Sequence, residues 1–200
     1  LEGSTITAKT SDGFIGDMTV IAGKDARLDD VFTPEKNVKA ESMSIRAGDA
    51  VNFGEGTVAL ETKRDLTVEA DHLTGDRIAA ESVLASGSAL SISVKEDLHV
   101  EEGVQASGQN VKFSSKDFTL ADRTTVRGGS TAEIDASGEV AFTGDVLVTA
   151  DDSVGIGAAS GGITFTGAVT VGDETKSENK AKVTLHAAGS ILQQEVSGNA

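Results

Sequence analysis

The chain contains no cysteine, no tryptophan and no tyrosine, and Pro34 is its single proline among 200 residues. Without cysteine there is no disulfide, no thiol nucleophile and no Cys-ligated zinc. With aromatics at 4%, all of them Phe, a core has to be built from Val, Ile, Leu and Ala, helped by seven Phe. Side chains this small suit many thin repeated layers better than one thick globular centre. Turns must rely on the 23 Gly and on Asp, Asn and Ser. No apolar run approaches the roughly 18 residues that span a bilayer, so no membrane insertion is expected. Cations are scarce as well, 17 Lys and Arg against 32 Asp and Glu, for a net charge of −15 and a pI near 4.5. That balance disfavours nucleic acid, and none is expected as a partner, because phosphate neutralisation needs cations. It also disfavours anionic membrane surfaces.

The acid is spread along the chain without a polyacidic block. Residues 1–127 hold 22 acidic and 14 basic residues, and residues 128–200 hold 10 and 3. This reads as a solvated, self-repelling surface. The chain opens Leu1-Glu2, with no signal-peptide pattern, and is read as one segment excised from something longer.

What is present is strand signal throughout. Alternating segments include STITA (4–8), MTVIA (18–22), SMSIR (42–46), TVALE (57–61), LTVEA (66–70), LSISV (90–94), VKFS (111–114), VLVT (146–149), ITFTG (163–167) and KVTLH (182–186). Thr, Val, Ile and Ser dominate them, as a pleated, half-buried surface favours. Turn residues punctuate them about every ten positions, as at GKD (23–25), TGD (74–76), RGGS (127–130) and SGG (160–162). The helix-forming composition of residues 35–47 gives way to alternation from Met43, and the stretch is read as strand.

Internal repeats decide the architecture. One motif is acid–apolar–any–apolar: Asp17-Met18-Thr19-Val20, Asp65-Leu66-Thr67-Val68, Asp97-Leu98-His99-Val100, Asp117-Phe118-Thr119-Leu120, Glu139-Val140-Ala141-Phe142 and Asp145-Val146-Leu147-Val148. A second is apolar–any–Ala, as in Val20/Ala22, Val68/Ala70, Ile134/Ala136 and Leu185/Ala187. VKAES (38–42) matches IAAES (78–82) 40 residues on; Asp97 to Asp117 is 20 and Asp117 to Glu139 is 22. Asp65 to Asp97 is 32, which needs an insertion or a different face. These offsets predict an all-β, right-handed parallel β-helix (β-solenoid) over residues 1–200, with about twenty residues per coil. Roughly ten coils at about 4.8 Å would make a rod of roughly 45–50 Å. Apolar positions would stack into internal columns, with Ala where the coil narrows at a corner. Residues 24–40 fit the pattern badly and read as an inserted loop around Pro34. The rival is an antiparallel β-sandwich, which usually carries buried Trp or Tyr and needs no internal repetition.

The segments GDVLVTADDSVGIGAASGGITFTGAVTVG (144–172) and KVTLHAAGSILQ (182–193) resemble the degenerate repeats of filamentous-haemagglutinin-type exoproteins. These are large adhesins secreted by two-partner or autotransporter routes. The resemblance covers most of the chain and is sharpest after about residue 130. The amino-terminal secretion motif of that family is not visible. The resemblance implies a β-helical shaft outside the cell, with adhesion as the role of the whole protein.

Nothing in the sequence points to catalysis, a cofactor or a metal. His72, His99 and His186 are far apart and form no H-x-H or H-E-x-x-H pattern, and they read as surface imidazoles. The carboxylate pairs Asp29-Asp30, Glu101-Glu102 and Asp151-Asp152 are expected by chance among so many acids. Asp25, Asp29 and Asp30 are close enough in sequence to suggest calcium, but there is no EF-hand loop and no G-G-x-G-x-D repeat. VGIGAASGG (154–162) fails as a dinucleotide loop, because the third position is Ser160 and a strand follows. All seven Phe are assigned to the core.

The expectation is therefore a non-enzymatic shaft segment of an extracellular or cell-surface protein, giving length and rigidity, with scope for a lateral binding face. Its expected partners are host or neighbouring-cell surface glycans or proteins, engaged through the full-length protein, with end-to-end self-association as a further option. The alternatives are a carbohydrate-active β-helix, lyase-like or glycosidase-like, and a self-assembling surface fibre or surface-layer subunit.

Overall fold

The computed structural model describes residues 13–172 and 181–194. STITA (4–8) lies outside them. The described chain is wound into coils of parallel strands. Coil one holds β1 (Met18–Ala22), β2 (Ala26–Arg27) and β3 (Lys39–Ala40). Coil two holds β4 (Met43–Ala47), β5 (Ala50–Asn52) and β6 (Ala59–Thr62). Coil three holds β7 (Leu66–Ala70), β8 (His72–Leu73), β9 (Arg77–Ile78) and β10 (Val83–Ser86), with a 3-10 turn at Thr74–Asp76. Coil four holds β11 (Ala89–Val94), β12 (Leu98–Val100) and the start of β13 (Gln105–Ser115). Coil five takes the rest of β13, then β14 (Phe118–Leu120) and the start of β15 (Thr125–Ala136). Coil six continues β15 into β16 (Val140–Thr143) and β17 (Val146–Ala150). Coil seven holds β18 (Ser153–Ala158), β19 (Ile163–Thr166) and β20 (Val169–Gly172), and β21 (Lys182–Ala187) and β22 (Ile191–Gln194) begin an eighth. Among the described residues there is no α-helix.

Every strand pairs in parallel with its equivalent one coil away, so the protein is a β-solenoid. The turn is about 22 residues, slightly longer than the expected twenty, and the described residues make about seven turns. Seven steps of about 4.8 Å give a stack of roughly 34 Å. A strand–turn unit of ten residues omits the longer corners, which is why the coil exceeds twenty residues. Face I carries β1, β4, β7, β11, the second part of β13, the second part of β15, β18 and β21. Face III carries β3, β6, β10, the first parts of β13 and β15, β17 and β20. Face II is built twice: β2, β5 and β8 form one ladder, and β9, β12, β14, β16, β19 and β22 form another. Coil three belongs to both.

The inward columns follow the alternation read from sequence. On face I, Val20, Ile45, Val68, Ile92, Phe113, Ile134, Ile156 and Leu185 stand one above the other. Next to them, at the end of the same strands, run Ala22, Ala47, Ala70, Val94, Ser115, Ala136, Ala158 and Ala187, mostly small because the coil turns its corner there. Six Phe pack in or against the core, with rings paired as Phe32–Phe53, Phe113–Phe118 and Phe142–Phe165 at 6.1, 5.5 and 5.0 Å. Phe14 departs from the expectation. It is half-buried on the outside, with the Lys63 and Lys39 ammonium groups 4.7 and 5.9 Å from its ring centre. A ring flanked by two lysine stems can shed water without entering the core.

The acid–apolar–any–apolar motif marks the start of a strand on any face. Asp17 and Asp65 precede face I, Asp97, Asp117 and Glu139 precede face II, and Asp145 precedes face III. The 32-residue offset from Asp65 to Asp97 is therefore a change of face. The 20- and 22-residue offsets are true coil repeats, since Leu98 pairs with Phe118 and Phe118 with Val140. The VKAES/IAAES match is not a two-coil repeat. Lys39 stacks through Glu61 to Ala85, whereas Ile78 sits on face II. The acids also tie neighbouring coils together. Asp65 Oδ1 accepts the Ala89 N–H at 3.2 Å, and Asp117 Oδ1 accepts the Glu139 N–H at 2.7 Å, each bond joining one coil to the next. Residues 24–40 contain β2 and β3, with Leu28 and Phe32 buried between them and a turn over 33–37.

The wider N-terminal coils and the narrower later ones meet at coil three. Buried Ser82 accepts the Val58 N–H at 2.9 Å and buried Thr124 donates to the Glu101 carbonyl at 3.1 Å, so the corner between faces II and III keeps its hydroxyls bonded. Glycine is required where later corners stack closely. Gly144 has φ +81°, and a Cβ on Gly167 would lie 2.8 Å from the Gly144 carbonyl oxygen.

Candidate functional site

The lateral surface offers two concave regions. The first lies over β2, β5 and β8. A hollow of about 320 Å³ is lined by Asp25, Arg27, Asp29, Asp49, Asn52 and His72 among others. It adjoins one of about 450 Å³ that shares Asp29, Asn52 and Thr74 and adds Glu55 and Arg77. Stacking creates both: Arg27 pairs with Asn52, and Ala50 with His72, so their side chains point outward at the pitch of the coil. His72 Nδ1 is 3.6 Å from Asp49 Oδ1, too far for a hydrogen bond. Arg77 is engaged elsewhere, donating to Glu101 at 2.8 Å.

The second region is an open groove of about 450 Å³ at the corner of faces II and III, lined by Ala80, Glu101, Glu102, Ala121, Asp122, Thr143 and Gly144. Its carboxylates are committed to the scaffold. Glu101 Oε2 accepts the Ala80 N–H at 2.9 Å, and Asp122 Oδ1 accepts the Asp145 N–H at 2.6 Å. Arg123 bridges Glu81 at 3.2 Å and Glu102 at 3.5 Å. Glu81, Gly103 and Arg123 hold φ of 57°, 71° and 57° at this corner in successive coils, so the chain turns the same way each time.

The residues singled out from sequence are not brought together. His99 is exposed on face II, and His186 is exposed on face I far along the shaft. Asp29-Asp30 forms a turn, with Asp30 at φ 56°. Asp152 accepts the Ser130 hydroxyl at 2.6 Å. VGIGAASGG begins as β18 and ends as the turn before β19. Asp25, Asp29 and Asp30 form no metal cage: among the described residues no group of three or more His, Cys, Asp or Glu could hold an ion.

The shifted ionisations belong to surface pairs. The hydrogen bonds that Lys112 donates to Glu133 and then to Asp135, at 2.8 and 2.9 Å, raise its pKa. Hydrogen bonding to Asp71 raises Lys95, and hydrogen bonding to Asp97 raises Lys116. Glu35 is lowered by a backbone hydrogen bond and by Thr33. The arrangement is one of coil-to-coil fastening. Sequence reasoning missed Arg77, Arg123 and Lys112 as fasteners, because their partners lie about one or two coils away and no local pattern marks them. No helix of the described residues is long and apolar enough to cross a membrane. Comparison with family models, curated proteins and solved structures finds no match to this chain.

Proposed function

We propose that the chain is a structural shaft segment of a large extracellular bacterial exoprotein of the filamentous-haemagglutinin type, not an enzyme. One observation carries this reading: the inward columns run through about seven turns, and lateral Lys and Arg side chains pair one coil with the next. Such a body supplies length and stiffness, and its lateral face over β2, β5 and β8 is the place where a glycan or protein of a neighbouring surface would lie. The segment should show no turnover of acidic polysaccharides, with or without calcium. Reproducible turnover abolished by one Asp substitution would replace this reading with that of a carbohydrate-active β-helix.

A coil deletion tests the shaft role itself. Thr131 occupies the ladder position of Asn110 one coil on. Removing residues 110–130 should give a folded rod shorter by about 4.8 Å. A shaft tolerates that loss, and a chain that no longer folds would count against it.

A further inference from the structure

The coils do not form one uniform stack. One inward column of face II runs from Ala26 through Val51 to Leu73, and another starts at Ile78 and runs through Val100 to Phe165. The two columns overlap in coil three and do not stand in line. Among the described residues, β8 has no strand above it in coil four and β9 has none below it in coil two.

The change of ladder leaves a gap between coils two and three. No strand pairing joins residues 53–57 to residues 74–80 among the described residues, although Thr57 Oγ1 donates to the Ala80 carbonyl at 3.1 Å across the gap. An apolar void of about 20 Å³ remains there, lined by Val51, Phe53, Val58, Leu73, Ile78 and Ala79 among others. Groups that face a void forfeit the dispersion contacts of a filled layer. Between coils one and two the same sector is filled. The Phe32 and Phe53 rings meet edge on at 6.1 Å, the Leu28 N–H donates to the Asn52 carbonyl at 2.7 Å, and the Ala59 N–H donates to the Phe32 carbonyl at 2.7 Å. Lys39–Glu61 at 2.7 Å and Lys63–Glu41 at 3.0 Å add to that union. Arg46–Glu69 at 3.4 Å does span coils two and three, but a surface pair shifts an opening equilibrium by a factor of about five at most. Ladder length points the same way. Residues 43–46 pair with 66–69, and 50–51 with 72–73, between coils two and three. Between coils six and seven, 131–136 pair with 153–158 and 140–143 with 163–166.

We propose that coil three is a seam built into the shaft, at which coils one and two unwind together while coils five to seven stay wound. In a solenoid each interface between neighbouring coils contributes its own share of stability. A poorly filled interface beside well-joined coils divides the stack, and the part with the shorter ladders opens without the other. The seam lies where face II changes ladder, because two columns out of line cannot fill the layer between them.

Amide hydrogen exchange of the full chain, followed at rising urea below the unfolding transition, tests this. The amides of Leu28, Ile45 and Val51 should share one opening, at least about tenfold more frequent than the opening that exposes Val111 and Ile156. One opening common to all these amides would overturn the proposal, as would Val111 and Ile156 opening first. Separate values that rise coil by coil would also overturn it, since they describe fraying from an end. Ile134→Val supplies a second arm, because it removes one buried methyl group from coil six and is mild enough to fold. It should speed exchange at Val111 and Ile156 about 2- to 10-fold and leave Leu28, Ile45 and Val51 unchanged. Equal acceleration in both sets would refute the seam.

Discussion

Leu66 is fully buried in the face I column between Met43 and Leu90, and Thr67 beside it is half-buried on the outer surface between Ser44 and Ser91. Leu66→Asp removes the transfer free energy of a buried leucine, about 1.5–3 kcal/mol. It also places a carboxylate among aliphatic groups that offer it no hydrogen bond, at a cost of similar size or larger. The total is roughly 4–5 kcal/mol or more, a large share of the 5–15 kcal/mol that holds a typical domain. Thr67→Asp adds the same charge where water reaches it and should cost less than about 1 kcal/mol. Face II offers an independent copy of the contrast, with Val100 buried and His99 exposed. Val100→Asp should be severe and His99→Asp mild. The chain lacks Trp and Tyr, so urea unfolding is best followed by far-UV circular dichroism. Each coil leans on its neighbours, so damage at Leu66 should spread to coils two and four and broaden the transition. Equal damage from Thr67→Asp and Leu66→Asp would refute the in/out register on which the account of the fold rests.

Gly144→Ala forces a φ of +81° on a residue with a Cβ and drives that Cβ into the Asp122 carboxylate, so a midpoint shift worth about 1–3 kcal/mol is expected. Gly56→Ala, with open space around it and no positive φ, should stay within about 0.5 kcal/mol in the same urea titration. The Phe142 ring is fully buried and stacked on Phe165, so Phe142→Ala should cost about 3–5 kcal/mol, read by thermal unfolding. Alkaline titration has a defined sign at Lys112. Its pKa is raised above the usual 10.5 by Glu133 and Asp135, so its contribution is fully present below about 10.5 and is lost as pH climbs through the raised folded value. The exposure of the pair keeps that contribution small. Lys112→Gln should remove this part of the loss of stability at high pH, measured as urea midpoints across the alkaline range.

The alternation of LTVEA, LSISV and MTVIA settled, without any structure, which side chains face inward, because a strand's side chains change sides at every residue whatever surrounds it. The missing Trp and Tyr, the frequent Gly and the apolar–any–Ala ending pointed to thin stacked layers with tight corners, and the Ala column on face I is that ending seen from inside. Other properties belonged to the tertiary structure alone. A two-residue period carries no record of position around the perimeter, so the motif at Asp65 and the one at Asp97 look alike although they open different faces. VKAES and IAAES match in composition while occupying different sides of different coils. Corner lengths vary freely, since a corner need only return the chain to its ladder; hence coils of about 22 residues and a face II that changes ladder at coil three. The lateral charges were visible as residues but not as pairs. Arg123 meets Glu81 and Glu102 only because coiling sets positions one and two turns apart in sequence within a few ångströms of each other.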